Sequence, residues 1–338
     1  MAVNTDVYLI TGFLGSGKTT FLNRIINAFP KDRQLMILMN EFGDLGVDGA
    51  LVEGDDLDML EISKGSIFCV CVKTDFIKGL MDIARNKQPD VLLIEATGIA
   101  NPTDLKKDLQ LSIFKNQFQL KEQFCLIDVA NFEDAYDTFT FVEKQIESAT
   151  VLILNKVDTA DEATIKRVQQ IVARHHPDPE FIETEYADIP LEKYLPTARP
   201  ATEKQLPNVS EKELERFIDG LMAAPGISMM PPDQLLSKTL VWSAKDFDVL
   251  KEMAAQIPAN IARAKGIIQA GEDVYLLNCV MGQSKLEKID QKEGMTALLN
   301  KVVFIGSPEA MQQLDRKGRD QKTEPQRPED GTSVGNKE

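Results

Sequence analysis

One glycine-rich stretch, GFLGSGKTT at 12–20, has the residue types and spacing that most clearly predict chemistry. It matches the phosphate-binding pattern G-x-x-x-x-G-K-[ST] without a mismatch. In such a loop the glycines let backbone N–H groups converge on a polyphosphate, the lysine reaches the β- and γ-phosphates, and the following hydroxyl ligates Mg²⁺. The residues that we predict to contact a nucleotide here are Gly12, Gly15, Ser16, Gly17, Lys18, Thr19 and Thr20.

A second motif, NKVD at 155–158, has the residue types that bind a guanine base. The Asp158 carboxylate can accept hydrogen bonds from both N1–H and the 2-amino group of guanine, whereas adenine offers neither donor there. Two charge-assisted hydrogen bonds of about 1.5–3 kcal/mol each correspond to roughly a hundred- to ten-thousand-fold preference. Asn155 would brace the loop and the Lys156 stem would cover the base, so the two motifs together predict GTP as the nucleotide.

A third motif, EATG at 95–98, ends an apolar run and resembles the D-x-x-G element of GTPases, with Glu in place of Asp. An acid at this position can hold Mg²⁺ through water, because Mg²⁺ keeps several of its waters. The Gly98 amide would sense the γ-phosphate. We therefore predict Lys18 and Glu95 as catalytic residues and Thr19 with Glu95 as the Mg²⁺ site, and we identify no general base.

The stretch NEFGDLGVDG at 40–49 contains three glycines and three acids within ten residues. It follows the second strand-like run, where the first switch of a GTPase lies. We interpret it as a segment that orders around the γ-phosphate and Mg²⁺. The alternative is an ordinary solvated loop.

The elements that would hold these motifs alternate along the chain. Apolar, strand-like runs occur at 7–10, 35–39, 91–94, 124–129 and 151–154, with helix-like stretches between them. This alternation predicts a doubly wound, mostly parallel α/β sheet whose phosphate site lies at the carboxyl ends of the strands. The predicted divisions are a P-loop nucleotide-binding domain at 1–195, a Pro-rich, charged connection at 196–235, a smaller α+β domain at 236–310 and a disordered tail at 311–338.

The composition limits the classes of partner. A formal net charge of −15 argues against nucleic acid and anionic membrane as partners. No apolar run approaches the roughly 18 residues of a membrane span. The N-terminus has no basic region and no signal-peptide core, and the four cysteines do not form a disulfide framework. We therefore expect a cytoplasmic protein.

Taken together, these motifs resemble the CobW-type P-loop GTPases, a family of proposed metal chaperones related to UreG and HypB. The segments that carry the resemblance are GFLGSGKTT, NEFGDLGVDG, IEATGIANP and NKVD, with Arg263–Gly266 and Val302–Gly306 resembling the family's C-terminal domain. The resemblance implies GTP hydrolysis coupled to the handling of a transition metal such as Zn²⁺ or Co²⁺ for a client metalloprotein or cofactor enzyme. It also implies a homodimer, since many relatives dimerise around nucleotide.

The cysteine segment departs from the family pattern. The family's hallmark is a C-x-C-C segment, but residues 65–72 are GSIFCVCV. Ser66 and Phe68 therefore stand where two cysteines are usual, whereas Cys69 matches and Cys71 lies two residues further on. The resulting C-x-C pair offers two thiolates, about half of the ligands that Zn²⁺ requires.

Glu41 and Asp44, an acid pair that also fits the family pattern, are the candidate partners of Cys69 and Cys71 in a transition-metal site. A site shared between switch and cysteines would couple nucleotide state to metal affinity. The alternative is that both cysteines are small buried apolar residues. That alternative corresponds to a different function, a GTP-switched protein that gates a client enzyme without metal cargo. A kinase is disfavoured because NKVD has no role there.

Overall fold

The computed structural model of the chain describes residues 5–41, 58–63, 70–98, 100–114, 116–176, 179, 181–195, 210–222, 235–290 and 298–320. The strands are β1 (Thr5–Gly12), β2 (Leu35–Glu41), β3 (Asp58–Ser63), β4 (Val91–Glu95), β5 (Phe118–Asp128), β6 (Val151–Asn155), β7 (Phe181–Thr184), β8 (Leu236–Val241), β9 (Ile261–Ala270), β10 (Asp273–Val280), β11 (Gln283–Ile289) and β12 (Lys301–Gly306). The helices are α1 (Lys18–Ala28), α2 (Val70–Asp82), α3 (Pro102–Leu109), α4 (Phe132–Thr138), α5 (Thr140–Ser148), α6 (Glu162–His175), α7 (Glu211–Met222), α8 (Phe247–Ala255) and α9 (Pro308–Asp320).

The N-terminal sheet has seven strands in the order β3-β2-β4-β1-β5-β6-β7, and every neighbouring pair is parallel. The interior strands β4 and β6 are buried along their whole length, as continuous apolar runs require when helices cover both faces of a sheet. The reversal of strand order at β1 is the mark of a doubly wound fold. The predicted fold class is therefore confirmed.

The two edge strands of this sheet, β3 and β7, were absent from the sequence prediction. The sequence of β3 is DMLEIS and that of β7 is FIET, so polar residues interrupt both apolar patterns. A strand at an edge has a neighbour on one side alone and is often short. The apolar-run criterion therefore detects the central strands and overlooks the edges.

Helix α7 belongs to the N-terminal unit, although it lies within the predicted connection at 196–235. Its buried residues Leu214 and Ile218 pack in one hydrophobic cluster with Phe76 and Ile77 of α2. The apolar face of this amphipathic helix thus extends the core instead of bridging two domains. The rest of the predicted connection, apart from Ser210 and Leu235, lies outside the described residues.

The C-terminal sheet has five strands in the order β11-β10-β9-β12-β8, and all neighbouring pairs are antiparallel. Helices α8 and α9 pack on one face, where Leu250, Phe304 and Met311 share a buried cluster. The predicted α+β character is confirmed. Strand β11, QSKLEKI, is mostly polar and lies at the sheet edge, so no apolar run marks it in the sequence.

Helix α9 corrects the predicted start of the disordered tail at 311. It runs over Pro308–Asp320, and Met311 and Leu314 are buried against the C-terminal sheet. Two apolar side chains one helical turn apart anchor a segment whose other residues are mostly charged. Residues 321–338 lie outside the described chain. Neither α9 nor any other helix in the described part of the chain is long and apolar enough to cross a membrane.

Candidate functional site

The phosphate-binding motif forms the loop between β1 and α1. Strand β1 ends at Gly12 and α1 begins at Lys18, so the motif lies at the carboxyl edge of the sheet. Gly12 and Gly17 have φ values of 132° and 105°, in the left-handed region that residues with a Cβ rarely adopt. The backbone path of this loop therefore depends on the glycines at these two positions.

The Lys18 side chain lies inside this loop. It is 7% exposed, and its Nζ donates hydrogen bonds to the carbonyl oxygens of Gly12 and Phe13, both at 3.1 Å. The ammonium group is thus held at the N-terminus of α1, where the helix dipole adds partial positive charge. The hydroxyl of Ser16 is also buried, and no hydrogen-bond partner for it is found among the described residues. The loop accordingly combines a cation, a helix N-terminus and an available hydroxyl, which suits a polyphosphate.

Two oxygen-bearing side chains from different elements meet beside the loop. Thr19, in the first turn of α1, donates a hydrogen bond from Oγ1 to Oε1 of Glu95 at 3.2 Å. Glu95 ends β4, which pairs with β1 so that Glu95 lies beside Ile10. A hydroxyl and a carboxylate are ligands that a hard divalent cation prefers, and Mg²⁺ takes one or two carboxylates with phosphate oxygens. The predicted pair therefore fits Mg²⁺ chemically.

The segment after β4 packs directly on the phosphate loop. A Cβ added to Gly98 would lie 2.5 Å from the backbone nitrogen of Leu14, so that position has no room for a side chain. Nε2 of Gln145, a buried residue of α5, donates to the carbonyl oxygens of Gly98 at 3.1 Å and Ala100 at 3.2 Å. Gln145 thus fixes this segment against α5. Sequence reasoning missed Gln145, and its one signal was a polar residue on the apolar face of a helix.

Asn155 connects three segments of the site. Its Nδ2 donates to the carbonyl oxygen of Ser16 in the phosphate loop at 2.8 Å, and its Oδ1 accepts from the backbone N–H of Ala187 at 2.8 Å. The side chain is buried, so both hydrogen bonds are shielded from water. The phosphate loop, the end of β6 and the segment after β7 are therefore held in one arrangement.

Lys156 is held by an acid that sequence reasoning missed. Its Nζ forms an ion pair with Oδ2 of Asp128 at 2.6 Å, and its backbone has a left-handed φ of 63°. Asp128 ends β5 and is buried; it also accepts hydrogen bonds from Asn131 Nδ2 and from the Ala130 N–H. The available signal was an acid at the carboxyl end of an apolar run, the same signal that identified Glu95. Asp158 follows in an exposed 3₁₀ turn, Val157–Thr159.

An exposed aromatic residue, Tyr186, also lies beside the predicted base-binding loop at 155–158. Tyr186 is 68% exposed and precedes Ala187, whose N–H binds Asn155. Both residues have left-handed φ values, 52° and 55°, which are uncommon for residues other than glycine and are often found at functional sites. An exposed ring beside a base site offers a stacking surface. No sequence motif marks this position.

Two of the four predicted transition-metal residues lie outside the described chain. Asp44 and Cys69 lie outside the described residues, while Glu41 is the last residue of β2 and Cys71 the second of α2. Strand β2 pairs with β4 so that Met39 lies beside Glu95, and Glu41 therefore belongs to the same carboxyl edge of the sheet as the phosphate loop. The backbone is compatible with a metal site near the nucleotide site.

A cluster of two glutamates and one histidine lies outside the predicted metal site. Within the described part of the chain, Glu143, Glu147 and His175 are the one set of His, Cys, Asp or Glu side chains close enough to share an ion. Lys144 forms an ion pair with Glu147 at 2.8 Å, and Tyr136 Oη lies 2.7 Å from Nε2 of His175. Ion pairing and hydrogen bonding account for Glu147 and His175, so we assign no metal to this group.

Comparison with known proteins identified two family models that match successive parts of the chain. The model described as "CobW/HypB/UreG, nucleotide-binding domain" matches residues 6–183. The model described as "Cobalamin synthesis protein cobW C-terminal domain" matches residues 239–318. The first match contains the phosphate loop, the acid that ends β4 and the predicted base-binding loop, and the second contains β9 to β12 with the second half of β8.

Curated relatives and solved structures were also found. "Zinc chaperone YeiR" of Escherichia coli strain K12 is 29% identical over 186 residues, covering 55% of this chain and 56% of the relative. "Zinc-regulated GTPase metalloprotein activator 1" of Schizosaccharomyces pombe is 34% identical over 189 residues, covering 53% and 46%. The chain thus spans about half the length of the curated relatives it matches. Zn(II)-bound YjiA GTPase from E. coli is 20% identical with a TM-score of 0.40, covering 93% of this chain and 98% of that one.

Proposed function

The chain belongs to the CobW/HypB/UreG family, whose nucleotide-binding model matches more than half of it, and from this premise we propose that it is a Mg²⁺-dependent GTPase acting as a metallochaperone or metal-cofactor insertion factor. The relatives' names support the proposal, since they describe zinc chaperones and a zinc-regulated GTPase metalloprotein activator. The proposed cargo is Zn²⁺, with Co²⁺ as the second candidate. The proposed partner is a client metalloprotein, and the proposed assembly is a homodimer.

The observation that carries the GTPase proposal is the position of Asn155. Its side chain bridges Ser16 of the phosphate loop and Ala187 after β7, while the neighbouring Lys156 is locked to Asp128. These contacts join the phosphate loop to the predicted guanine-binding motif, far apart in sequence, and this supports a single nucleotide site. An accidental match to either pattern would not require this connection.

The proposed mechanism assigns each step to side chains of this site. Asp158 accepts hydrogen bonds from guanine, and Lys18 with the loop amides stabilises charge on the β–γ bridge during phosphoryl transfer. Thr19 and Glu95 would hold Mg²⁺, which when bound neutralises charge on the phosphate oxygens. Gln145 holds the backbone of Gly98 where an amide can meet the γ-phosphate. With no general base identified, we expect slow intrinsic turnover.

The altered cysteine segment favours a second candidate function. Ser66 and Phe68 replace two of the cysteines usual in the family, which weakens the case for a full thiolate site. The second candidate is a GTP-switched protein that gates a client enzyme and carries no metal. Metal titration in the GTP and GDP states, against a competing chelator, separates the two functions.

A Cys69→Ser, Cys71→Ser double variant tests the metal cargo. If these thiolates ligate Zn²⁺ or Co²⁺, the variant should lose tight metal binding, because neutral hydroxyls replace the soft ligands that favour these ions. Nucleotide binding without metal should persist, since the phosphate loop and Asp158 do not need the thiols. Wild-type metal affinity should rise with pH, because a thiol releases its proton on binding. The measurements are chelator competition and the thiolate-to-Co²⁺ charge-transfer band.

Cys125→Ala is the matched control for this double variant. Burial raises the pKa of the Cys125 thiol to about 12, so at neutral pH it supplies no thiolate. Its replacement should leave metal affinity unchanged. If wild type shows no charge-transfer band and equal metal affinity in both nucleotide states, the metallochaperone proposal fails and the GTP-switched gate is the better description.

Gly98→Ala should weaken GTP binding through a steric effect. The new methyl group would lie 2.5 Å from the backbone nitrogen of Leu14, so the segment after β4 and the phosphate loop must separate. Overpacking of this kind costs about 1–3 kcal/mol. If this cost destabilises the nucleotide-bound state, the affinity for GTP falls by roughly 5- to 150-fold. GTP titration measures the loss. Gly220→Ala in α7 is the control and should leave affinity unchanged, because within the described chain no other element or side chain lies within 4 Å of the new methyl.

A further inference from the structure

The C-terminal domain contacts the phosphate loop through the hairpin formed by β10 and β11. A Cβ added to Gly15 would lie 2.5 Å from Cγ2 of Val280, the last residue of β10. The Val280 side chain therefore rests on the backbone of the predicted phosphate-binding loop. No motif identified in the sequence includes Val280.

The contact at Gly15 is part of a larger interdomain cluster. Phe13 and Leu14, the apolar residues of the phosphate loop, are buried in one cluster with Ala262, Val303 and Ile305 of the C-terminal sheet, and Val280 packs against its surface. The same cluster contains Phe139 and Phe141, whose rings stack on Phe13 at centroid distances of 5.5 Å and 6.0 Å. Residues of the N-terminal domain and of the C-terminal domain therefore both pack against the phosphate loop.

The hairpin is built so that Val280 is held in place. Val280 pairs with Gln283 across a two-residue turn in which Met281 and Gly282 have φ values of 47° and 79°. Positive φ at both central positions is characteristic of the tight type I′ turn that matches strand twist. The N–H of Met281 also donates to the carbonyl oxygen of Ala262 in β9 at 3.3 Å. The position of Val280 is thus tied to the C-terminal sheet.

The same hairpin also carries a cation that interacts electrostatically with the predicted base-binding loop. Lys285 of β11 forms an ion pair with Glu287 at 2.6 Å. That ion pair raises the pKa of the Lys285 ammonium group, and the nearby Tyr186 and Asp158 raise it further. The hairpin therefore contacts the predicted phosphate loop through Val280, and the Lys285 ammonium group lies within electrostatic range of Asp158.

We propose that Val280 is a positioning residue for the phosphate loop, and that packing of the C-terminal domain against this loop and nucleotide binding favour each other. The proposal rests on the GTPase function proposed above. A loop with several glycines loses much backbone entropy when it becomes ordered. If contacts with the C-terminal domain order the loop before the nucleotide binds, that entropy loss no longer reduces the affinity for nucleotide. By reciprocity, nucleotide must stabilise the packed C-terminal domain by the same factor.

Val280→Asp in the full chain is the principal test. A carboxylate at this half-buried position, against the cluster that contains Phe13, Leu14 and Val303, opposes packing of the two domains, because removing an unpaired charge from water is unfavourable. We expect affinity for GTP and GDP to fall about 5- to 150-fold, the usual range of coupling between sites. Val280→Ala should have a smaller effect in the same direction. Val280→Ile keeps Cγ2 and should retain wild-type affinity.

A second readout separates coupling from a general loss of stability. GTP should slow hydrogen exchange at the backbone amides of β10 and β11 in wild type and in Val280→Ile, but not in Val280→Asp. Val241→Asp is the matched control, since Val241 is 78% exposed on β8 of the same sheet. It should bind nucleotide and show protection like wild type.

The outcomes distinguish this inference from the GTPase proposal. If wild type binds GTP and Val280→Asp binds it equally well, or if protection of β10 and β11 does not depend on nucleotide, the inference is wrong and the GTPase proposal stands. If wild type itself binds no guanine nucleotide, the GTPase proposal fails. Should Val280→Asp fail to fold in a thermal melt, Val280→Ala decides by the same two measurements.

Discussion

Asp158→Asn should reduce affinity for GTP by roughly a hundred- to ten-thousand-fold, the value of two charge-assisted hydrogen bonds. The amide oxygen is a weaker acceptor than a carboxylate, and its NH₂ would face the donor groups of guanine. Xanthine has a 2-oxo group that can accept from that NH₂, so the variant should gain affinity for XTP relative to GTP. Asp158 lies in an exposed turn, and its replacement should leave the fold unchanged.

The measurement for Asp158→Asn is competition between GTP, XTP and ATP for the purified protein. Glu162→Gln is the matched control, because it makes the same carboxylate-to-amide change four residues away at an exposed position of α6. The control should keep wild-type preference. An undiminished preference of Asp158→Asn for GTP over XTP would show that the NKVD segment does not bind the base.

Lys18→Ala should abolish measurable GTP hydrolysis and weaken nucleotide binding. Removing a preorganised donor to developing negative charge typically costs about a hundred- to a thousand-fold in rate, and Lys18 is buried where such a donor acts most strongly. The carbonyl oxygens of Gly12 and Phe13 also lose their ammonium partner, which removes the cross-link that holds the side chain in the loop. Alanine favours the first turn of α1, so the fold should persist.

Single-turnover hydrolysis and GTP titration measure the effect of Lys18→Ala. Lys166→Ala is the control: this lysine is exposed on α6, where it pairs with Glu162 at 2.9 Å. Its turnover should equal that of wild type. If Lys18→Ala hydrolyses GTP at the wild-type rate in a preparation free of contaminating GTPase, the catalytic site lies elsewhere in the chain.

Local patterns in the sequence were sufficient to predict the sheet centre and the position of the phosphate loop. The apolar runs at 91–94 and 151–154 lie within β4 and β6, because a strand covered on both faces must be apolar throughout. Likewise, the glycines of the phosphate loop determine its backbone path, because they can adopt dihedral angles that other residues rarely adopt. This property depends on only a few neighbouring residues. Such features follow from short stretches of chain.

Where burial was partial, the local patterns were less informative. The edge strands β3, β7 and β11 have polar residues within their sequences, and α9 buries Met311 and Leu314 among charged neighbours. In each case one side of the element meets solvent, so its composition resembles that of a loop or a tail. What stabilises these elements is the surface that they contact, and that surface comes from other parts of the chain.

The identity of motifs was determined by the sequence itself, because phosphate and guanine are bound by residue types at fixed local spacing. The tertiary structure alone decided which distant groups support those motifs. Asp128 holds Lys156, Gln145 holds Gly98, and Val280 rests on Gly15. Each pair joins residues far apart in sequence, and their contact depends on strand order, helix packing and the placement of the C-terminal sheet. The spacing of residues along the chain does not predict such contacts, because the sequence contains many other side chains of the same types.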